Sequence, residues 1–179
     1  MIILLILLYV FLWAGIFYFG HKRPKYSHIK HSISELAETG STYEKQVSYG
    51  LFFPFGVGIM ILAYSSVQQN SAPHATFLLW AVGLSYLLSA FFPCDPETPA
   101  IGSWKNIIHN IVGAGCYAAM LYQLNDMIDV QNSWIANIAF ISLLSLLATF
   151  LIGWPRGLLG IVQRIAESSV FLTILLGLL

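Results

Sequence analysis

Only a few residues in this sequence could do chemistry. His109 lies in a stretch where Asn106, His109, Asn110, Gly113 and Tyr117 fall within about 80° of one another on a helix. Its imidazole, with an ordinary pKa near 6.5, suits proton transfer. Asp95 stands in Phe91-Phe92-Pro93-Cys94-Asp95-Pro96-Glu97, where two prolines restrict the backbone that carries the carboxylate. Glu35 follows Ser32-Ile33-Ser34, and Ser32 or Ser34 could cap a short interfacial helix there. Arg164 and Glu167 are three apart, so on a helix they share a face and can pair. Arginine also binds a phosphate or carboxylate through two parallel hydrogen bonds. His109, Asp95 and Glu35 are therefore candidate acid–base groups. Arg164, Glu167, Ser34, Asn106, Asn110 and Tyr117 are candidate substrate-binding groups. Each also fits a plainer role, with His109 a hydrogen-bonded core histidine and Asp95 a solvated loop acid.

A metal ion would have to recruit His28, His31, Asp95 and His109. His28-x-x-His31 alone is a weak signal, because metal sites need three or four ligands and a supporting shell. No P-loop, GxGxxG, HExxH, GxSxG or cysteine-rich motif occurs. Only His109 lies well inside an apolar stretch, which argues against a bis-histidine haem. No cofactor is expected.

The elements that must position these residues follow from composition. The chain has 179 residues, 58% hydrophobic and 9% charged, with mean hydropathy +0.75. Soluble domains carry about 25% charged residues, so a chain this apolar could not cover its own surface in water. Net charge is zero, which leaves no basic field for nucleic acid. Cys94 and Cys116 are too few for a disulfide framework and are read as two thiols. Nothing marks a linker, so one domain over 1–179 is expected.

Crossing a ~30 Å hydrocarbon core takes about 20 apolar residues. Six stretches qualify, at about 1–20, 49–67, 74–92, 104–122, 134–153 and 157–179. The fold class is thus all-α, a polytopic bundle of six transmembrane helices. The first stretch is followed by His21-Lys22-Arg23-Pro24-Lys25 instead of being preceded by basic residues, so it reads as a retained helix and not a secretory signal. Trp104, Trp134 and Trp154 fall at span ends, where interfacial aromatics belong. Ala81, Ser85 and Ser89, together with Gly56, Gly58, Gly113 and Gly115, read as small residues for close helix packing.

Charge tests the count. Lys22, Arg23, Lys25, Lys30, Lys45, Lys105, Arg156 and Arg164 are all the Lys and Arg residues of the chain. Six spans put every one on or near the face bearing 21–48, 93–103 and 154–156. The positive-inside rule makes that face cytoplasmic and both termini non-cytoplasmic, in what is expected to be a bacterial plasma (inner) membrane. The last span must recruit residues before Arg164 to be long enough, which draws Arg164 and Glu167 into the membrane's cytoplasmic third.

Several short motifs, taken in order, resemble a known family. Ser32-Ile33-Ser34-Glu35-Leu36, Phe92-Pro93-Cys94-Asp95, His109 and Gly160-Ile161-Val162-Gln163-Arg164 look like the landmarks of the membrane family called domain of unknown function 998. The resemblance covers nearly the whole chain. It departs from the family pattern where Ala37-Glu38-Thr39-Gly40 delays a glycine, and at Cys94 and Pro96–Pro99. A more distant similarity is to Frag1/DRAM/Sfk1 membrane proteins, some of which are implicated in lipid remodelling. The resemblance implies membership without an established activity.

Three functions compete. The first is a polar, partly intramembrane site near the cytoplasmic face that binds or processes a lipid or amphiphilic small molecule; a cavity beside His109 and Arg164 would favour it. The second is a non-catalytic scaffold or accessory subunit, favoured by a closed, fully paired network. The third is a small transporter or channel, favoured by a cavity crossing the midplane. Membrane lipids are the expected partners, with an oligomer or a partner subunit compatible with all three.

Overall fold

In a computed structural model the chain folds as six long helices with no strand among the described residues. The structure describes all residues except 71, 98, 132 and 153–155, and only the backbone of 131, 151, 152 and 156. The helices are α1 (Ile2–Lys22), α2 (Glu44–Gln68), α3 (Pro73–Phe91), α4 (Trp104–Gln131), α5 (Trp134–Ile152) and α6 (Leu159–Gly177). A single 3₁₀ turn, Ser34–Ala37, interrupts the long connection between α1 and α2. The expected stop at Trp154-Pro155 lies outside the described residues.

Four helices, α1, α2, α3 and α6, are long and apolar enough to cross a membrane among the described residues. A fifth apolar stretch, Trp134–Phe150 in α5, is shorter. The outer surface is that of a protein solvated by lipid. On α1 only Leu5, Leu12, Ile16 and Gly20 are buried, one narrow stripe, while Ile3 stays 75% exposed. Water would penalise that face at every turn, whereas hydrocarbon leaves it unpenalised.

Proline and glycine shape the bundle. Pro54 in α2 has no N–H and crowds the carbonyl four residues earlier. That carbonyl belongs to Gly50, within a π turn at Ser48–Phe52 that widens the helix ahead of the proline. Helix α3 ends at Phe91, and Phe92, the residue before Pro93, has left helical geometry at φ −121° and ψ 76°. Helices α2 and α3 touch backbone to backbone at Gly56 and Gly83. A Cβ on Gly56 would sit 2.7 Å from the Leu87 nitrogen and 2.9 Å from the Gly83 oxygen.

Two expectations about packing are corrected. Gly113 and Gly115 approach no helix, since a Cβ on either would meet nothing within 4 Å. Ser85 and Ser89 line a cavity instead of a helix seam. A third correction concerns Asn125, Asp126 and Asp129, which fall between the expected stretches 104–122 and 134–153. They continue α4, which runs to Gln131, because His74 at the start of α3 anchors it through Asp126 (3.1 Å) and Gln123 (2.7 Å). Asn125 also donates to Asp129 one turn on, at 2.9 Å.

Candidate functional site

Two groups of polar side chains stand on either side of one turn of α6. The first surrounds a cavity of about 260 Å³ between α3, α4, α5 and α6, roofed by Ser32, Ile33, Ser34 and Ala100 from the connections at the basic end. Its walls include Phe52, Ser85, Tyr86, Ser89, His109, Asn110, Gly113, Tyr117, Phe150, Gln163 and Glu167. The bare face of Gly113 leaves part of this space open. Four of the expected site residues, His109, Asn110, Tyr117 and Glu167, thus meet here from α4 and α6, with Ser34 above them.

Glu167 is the sole residue with a formal charge among those walls. Its Oε1 accepts from the Tyr117 hydroxyl at 2.8 Å, and Tyr117 in turn accepts from Gln163 Nε2 at 3.1 Å. Gln163 Oε1 accepts from the backbone N–H of Ile33 at 2.7 Å. A continuous hydrogen-bonded chain therefore runs from the roof to the intramembrane carboxyl. The Tyr86 hydroxyl lies within electrostatic reach of Glu167, yet is buried and makes no aligned hydrogen bond. His109 turns Nδ1 to the Phe92 carbonyl at 2.8 Å. A carbonyl only accepts, so Nδ1 carries the proton and Nε2 is left as an acceptor. Asn110 donates from Nδ2 to Pro99 at 2.9 Å, which spends its donor on the adjoining loop and leaves Oδ1 for the cavity.

The second group gathers around Arg164, which is 6% exposed and does not line the cavity. The expected Arg164–Glu167 pair does not form. Arg164 Nη1 donates to the carbonyls of His28 (2.8 Å), His31 (3.1 Å) and Gly160 (2.8 Å). Its Nη2 donates to the Tyr26 hydroxyl at 2.7 Å and faces His28 Nδ1 at 3.1 Å. The long side chain reaches back along α6 to the connection, where several carbonyls need donors, while Glu167 turns toward Tyr117. Gly160 permits this: a Cβ there would collide with the His31 oxygen and stand 2.6 Å from the His28 oxygen. Burial pushes the Tyr26 phenol up to about 12 against the pull of the neighbouring guanidinium. Burial, and then the Arg164 charge, holds the His28 imidazole below its ordinary value, so its Nδ1 stays an acceptor.

The remaining expected acids hold backbone. Glu35 accepts from the Ser32 N–H while the Ser32 hydroxyl accepts from the Glu35 N–H at 3.2 Å, the reciprocal pair of a capping box. Arg23 braces the same turn through the Glu35 carbonyl and the Glu38 carboxylate. Asp95 accepts from the Ser103 N–H (2.6 Å) and hydroxyl (2.8 Å). Asn106, fully buried, accepts from the Asp95 N–H at 2.9 Å and donates to Pro99 at 2.7 Å. These bonds fasten the connection before α4 to that helix's first turn. Glu35, Asp95 and Asn106 do not line the cavity. No three His, Cys, Asp or Glu side chains come together as a metal site among the described residues. His31 Nδ1 accepts from the Ser27 N–H at 2.7 Å, and His28 faces Arg164.

Gln163 and Tyr86 are the site residues that sequence reasoning missed. Gln163 stood within a recognised motif, and its burial beside a predicted intramembrane arginine was the available signal. Tyr86 looks like any apolar-facing tyrosine of a helix until its position beside Glu167 is seen.

The profile of a family described as protein of unknown function, DUF998, matches residues 6–179, nearly the whole chain. No curated protein and no solved structure matches.

Proposed function

Since the chain belongs to the DUF998 family, a membership that assigns no activity, we propose from the cavity that it binds a small amphiphile within the membrane. The observation that carries this reading is a cavity walled by a carboxyl, an imidazole acceptor, two tyrosines and several other polar groups together with Phe52, Leu147, Phe150 and Ala114. A few converging polar groups in an apolar cavity are what an amphiphile requires. The volume decides how much of it enters. About 260 Å³ falls below the roughly 300–1,000 Å³ that encloses drug-sized ligands. It admits a head group and the first carbons of a chain, not a whole diacyl lipid. Phe150 is 41% exposed, which supports an opening between α4 and α5 through which a chain reaches the surrounding hydrocarbon. If the protein also processes its ligand, His109 Nε2 and Glu167 are the groups placed to move a proton.

The same reading takes the single domain as six crossings in a plasma membrane, with the basic end cytoplasmic and both termini opposite. The convergence of the connections supports it: Thr39 donates to Cys94 at 2.8 Å and Ile161 to Ile29 at 3.1 Å, joining two connections and the first turn of α6 at one end. An odd number of crossings between residues 45 and 105 would put Lys45 and Lys105 on opposite faces and remove the reading.

A neutral probe tests the site. A long-chain alcohol bearing a diazirine, photolysed with the full chain in uncharged micelles, should label cavity residues such as Tyr117 and Phe150. Gly113→Leu adds a side chain where nothing stands within 4 Å, and removes a helix glycine that costs about 1 kcal/mol. It should leave the fold at least as stable and reduce cavity labelling at least tenfold. Labelling confined to outward residues such as Ile111 and Leu144 in both proteins would overturn the reading.

The scaffold reading has one observation in its favour. Arg164, Glu35, Asp95 and Asn106 are engaged with backbone and hold the connections down, as a structural network would. It leaves the cavity and Glu167 without a purpose.

A further inference from the structure

The hydrogen-bonding inventory of the cavity says which head group it suits. Several of its residues present acceptors and have spent their donors, while the hydroxyls of Ser34, Ser85 and Ser89 can either donate or accept. His109 gives its one N–H to Phe92, leaving Nε2. Asn110 gives its amide to Pro99 and Ala100. Tyr117 gives its hydroxyl to Glu167, and Gln163 gives its amide to Tyr117. Glu167 keeps a second carboxyl oxygen. Tyr86, 5% exposed, keeps a hydroxyl with no aligned partner.

Charge points the same way. No Lys or Arg lines the cavity among the described residues, and Arg164, three residues from Glu167, is committed to the carbonyls of His28, His31 and Gly160. Glu167 has no ion-pair partner among the described residues. A phosphate or carboxylate head group would bring a second anion beside it, with no cation to offset either. The aromatic rings of Phe52, Tyr86, Tyr117 and Phe150 in the same walls carry negative faces that attract cations and repel anions.

We infer that the cavity takes an ammonium group carried on an apolar stem, with Glu167 as its counter-ion. The inference rests on the amphiphile-binding reading and narrows it to one class. It prefers an ammonium that retains N–H donors over a trimethylammonium, which offers charge but no N–H for the carboxylate to accept. It excludes alkyl phosphates.

Competition against the neutral diazirine alcohol tests this separately from the cavity itself. Dodecylammonium, dodecyltrimethylammonium and dodecyl phosphate are each titrated against cavity labelling of the full chain in maltoside micelles, below their own micellar concentrations. Dodecylammonium is expected to displace the probe at a concentration at least tenfold lower than dodecyl phosphate, with dodecyltrimethylammonium between them. In Glu167→Gln the probe should still label, and the three competitors should fall within about threefold of one another. Dodecyl phosphate competing as well as dodecylammonium would overturn the inference and leave the amphiphile site standing. So would an ammonium preference that survives Glu167→Gln. Should that variant not fold, the order of the three competitors on the unaltered protein decides alone. Absence of any cavity labelling by the neutral probe would instead remove the underlying reading, and the inference with it.

Discussion

Arg164 and Glu167 stand one turn apart on the same helix and live in opposite chemical circumstances. Arg164 has both terminal nitrogens of its guanidinium engaged: three carbonyls, a phenol and an imidazole receive them, and its buried Nε alone has no partner among the described residues. Glu167 has one hydroxyl donor and an open cavity. Both are ionisable groups that hydrocarbon disfavours. One is stabilised by the protein's own backbone, and the other is left for something from outside. A spacing of three residues permitted them to satisfy each other, but the fold supplied Arg164 with better acceptors. An intramembrane charge is therefore best judged by the partners the fold supplies, not by its depth alone.

If that contrast holds, substitutions at the two positions should fail in different ways. The largest effect is expected from Arg164→Ala, which strands the His28 and His31 carbonyls and unseats the connection from α6. Hydrogen bonds to a charged group are worth about 1.5–3 kcal/mol each, so a loss near 3 kcal/mol is expected in the SDS-unfolding midpoint. Arg164→Lys should restore less than half of it, because one ammonium cannot span both Nη positions. Stability unchanged in Arg164→Ala would break the contrast, since the clamp would then hold nothing.

A smaller effect should come from Gln163→Leu, which touches both regions. It leaves the buried Ile33 N–H without an acceptor, at a cost of about 1–3 kcal/mol, and removes the donor to Tyr117. Diazirine labelling should shift along with stability, because the Tyr117 hydroxyl is then free to turn. Loss of stability with an identical labelling pattern would show that the roof and the cavity are independent.

The smallest effect concerns acidity. The folded state holds His28 below its ordinary value near 6.5, so folding opposes its protonation. That contribution is present above the unfolded value and is lost as pH falls through it. The protection of amides across residues 26–35, measured relative to their intrinsic exchange rate at each pH, should therefore fall between about pH 7.5 and 5.5, modestly because the ring is part-exposed and screened. His28→Gln should flatten the dependence. Protection that rises on acidification, after correction for the intrinsic rate, would reverse the sign and contradict the arrangement around Arg164.

Much of this protein was legible without coordinates because lipid solvation writes itself into composition. Uninterrupted apolar runs, tryptophans at helix starts (Trp104 and Trp134) and the gathering of Lys and Arg beside three connections are one-dimensional consequences of a two-phase solvent. The polar face of α4 could be read from its 3.6-residue period alone. Gly113 shows where such reading stops: a glycine that fits helix packing equally fits an open cavity, and only the absence of a neighbour distinguishes them.

The sequence by itself determined which residues could not face lipid, because burial of polar groups in hydrocarbon is unfavourable wherever they occur along a helix. It did not determine their partners. Glu35 and Asp95 resembled catalytic acids and bond to backbone N–H groups, Arg164 resembled an anion site and binds carbonyls, and Tyr86 showed no sign of its place beside Glu167. Hydrogen bonds are decided within a few tenths of an ångström and by direction. Those distances exist only once the connections have folded down onto the helix ends.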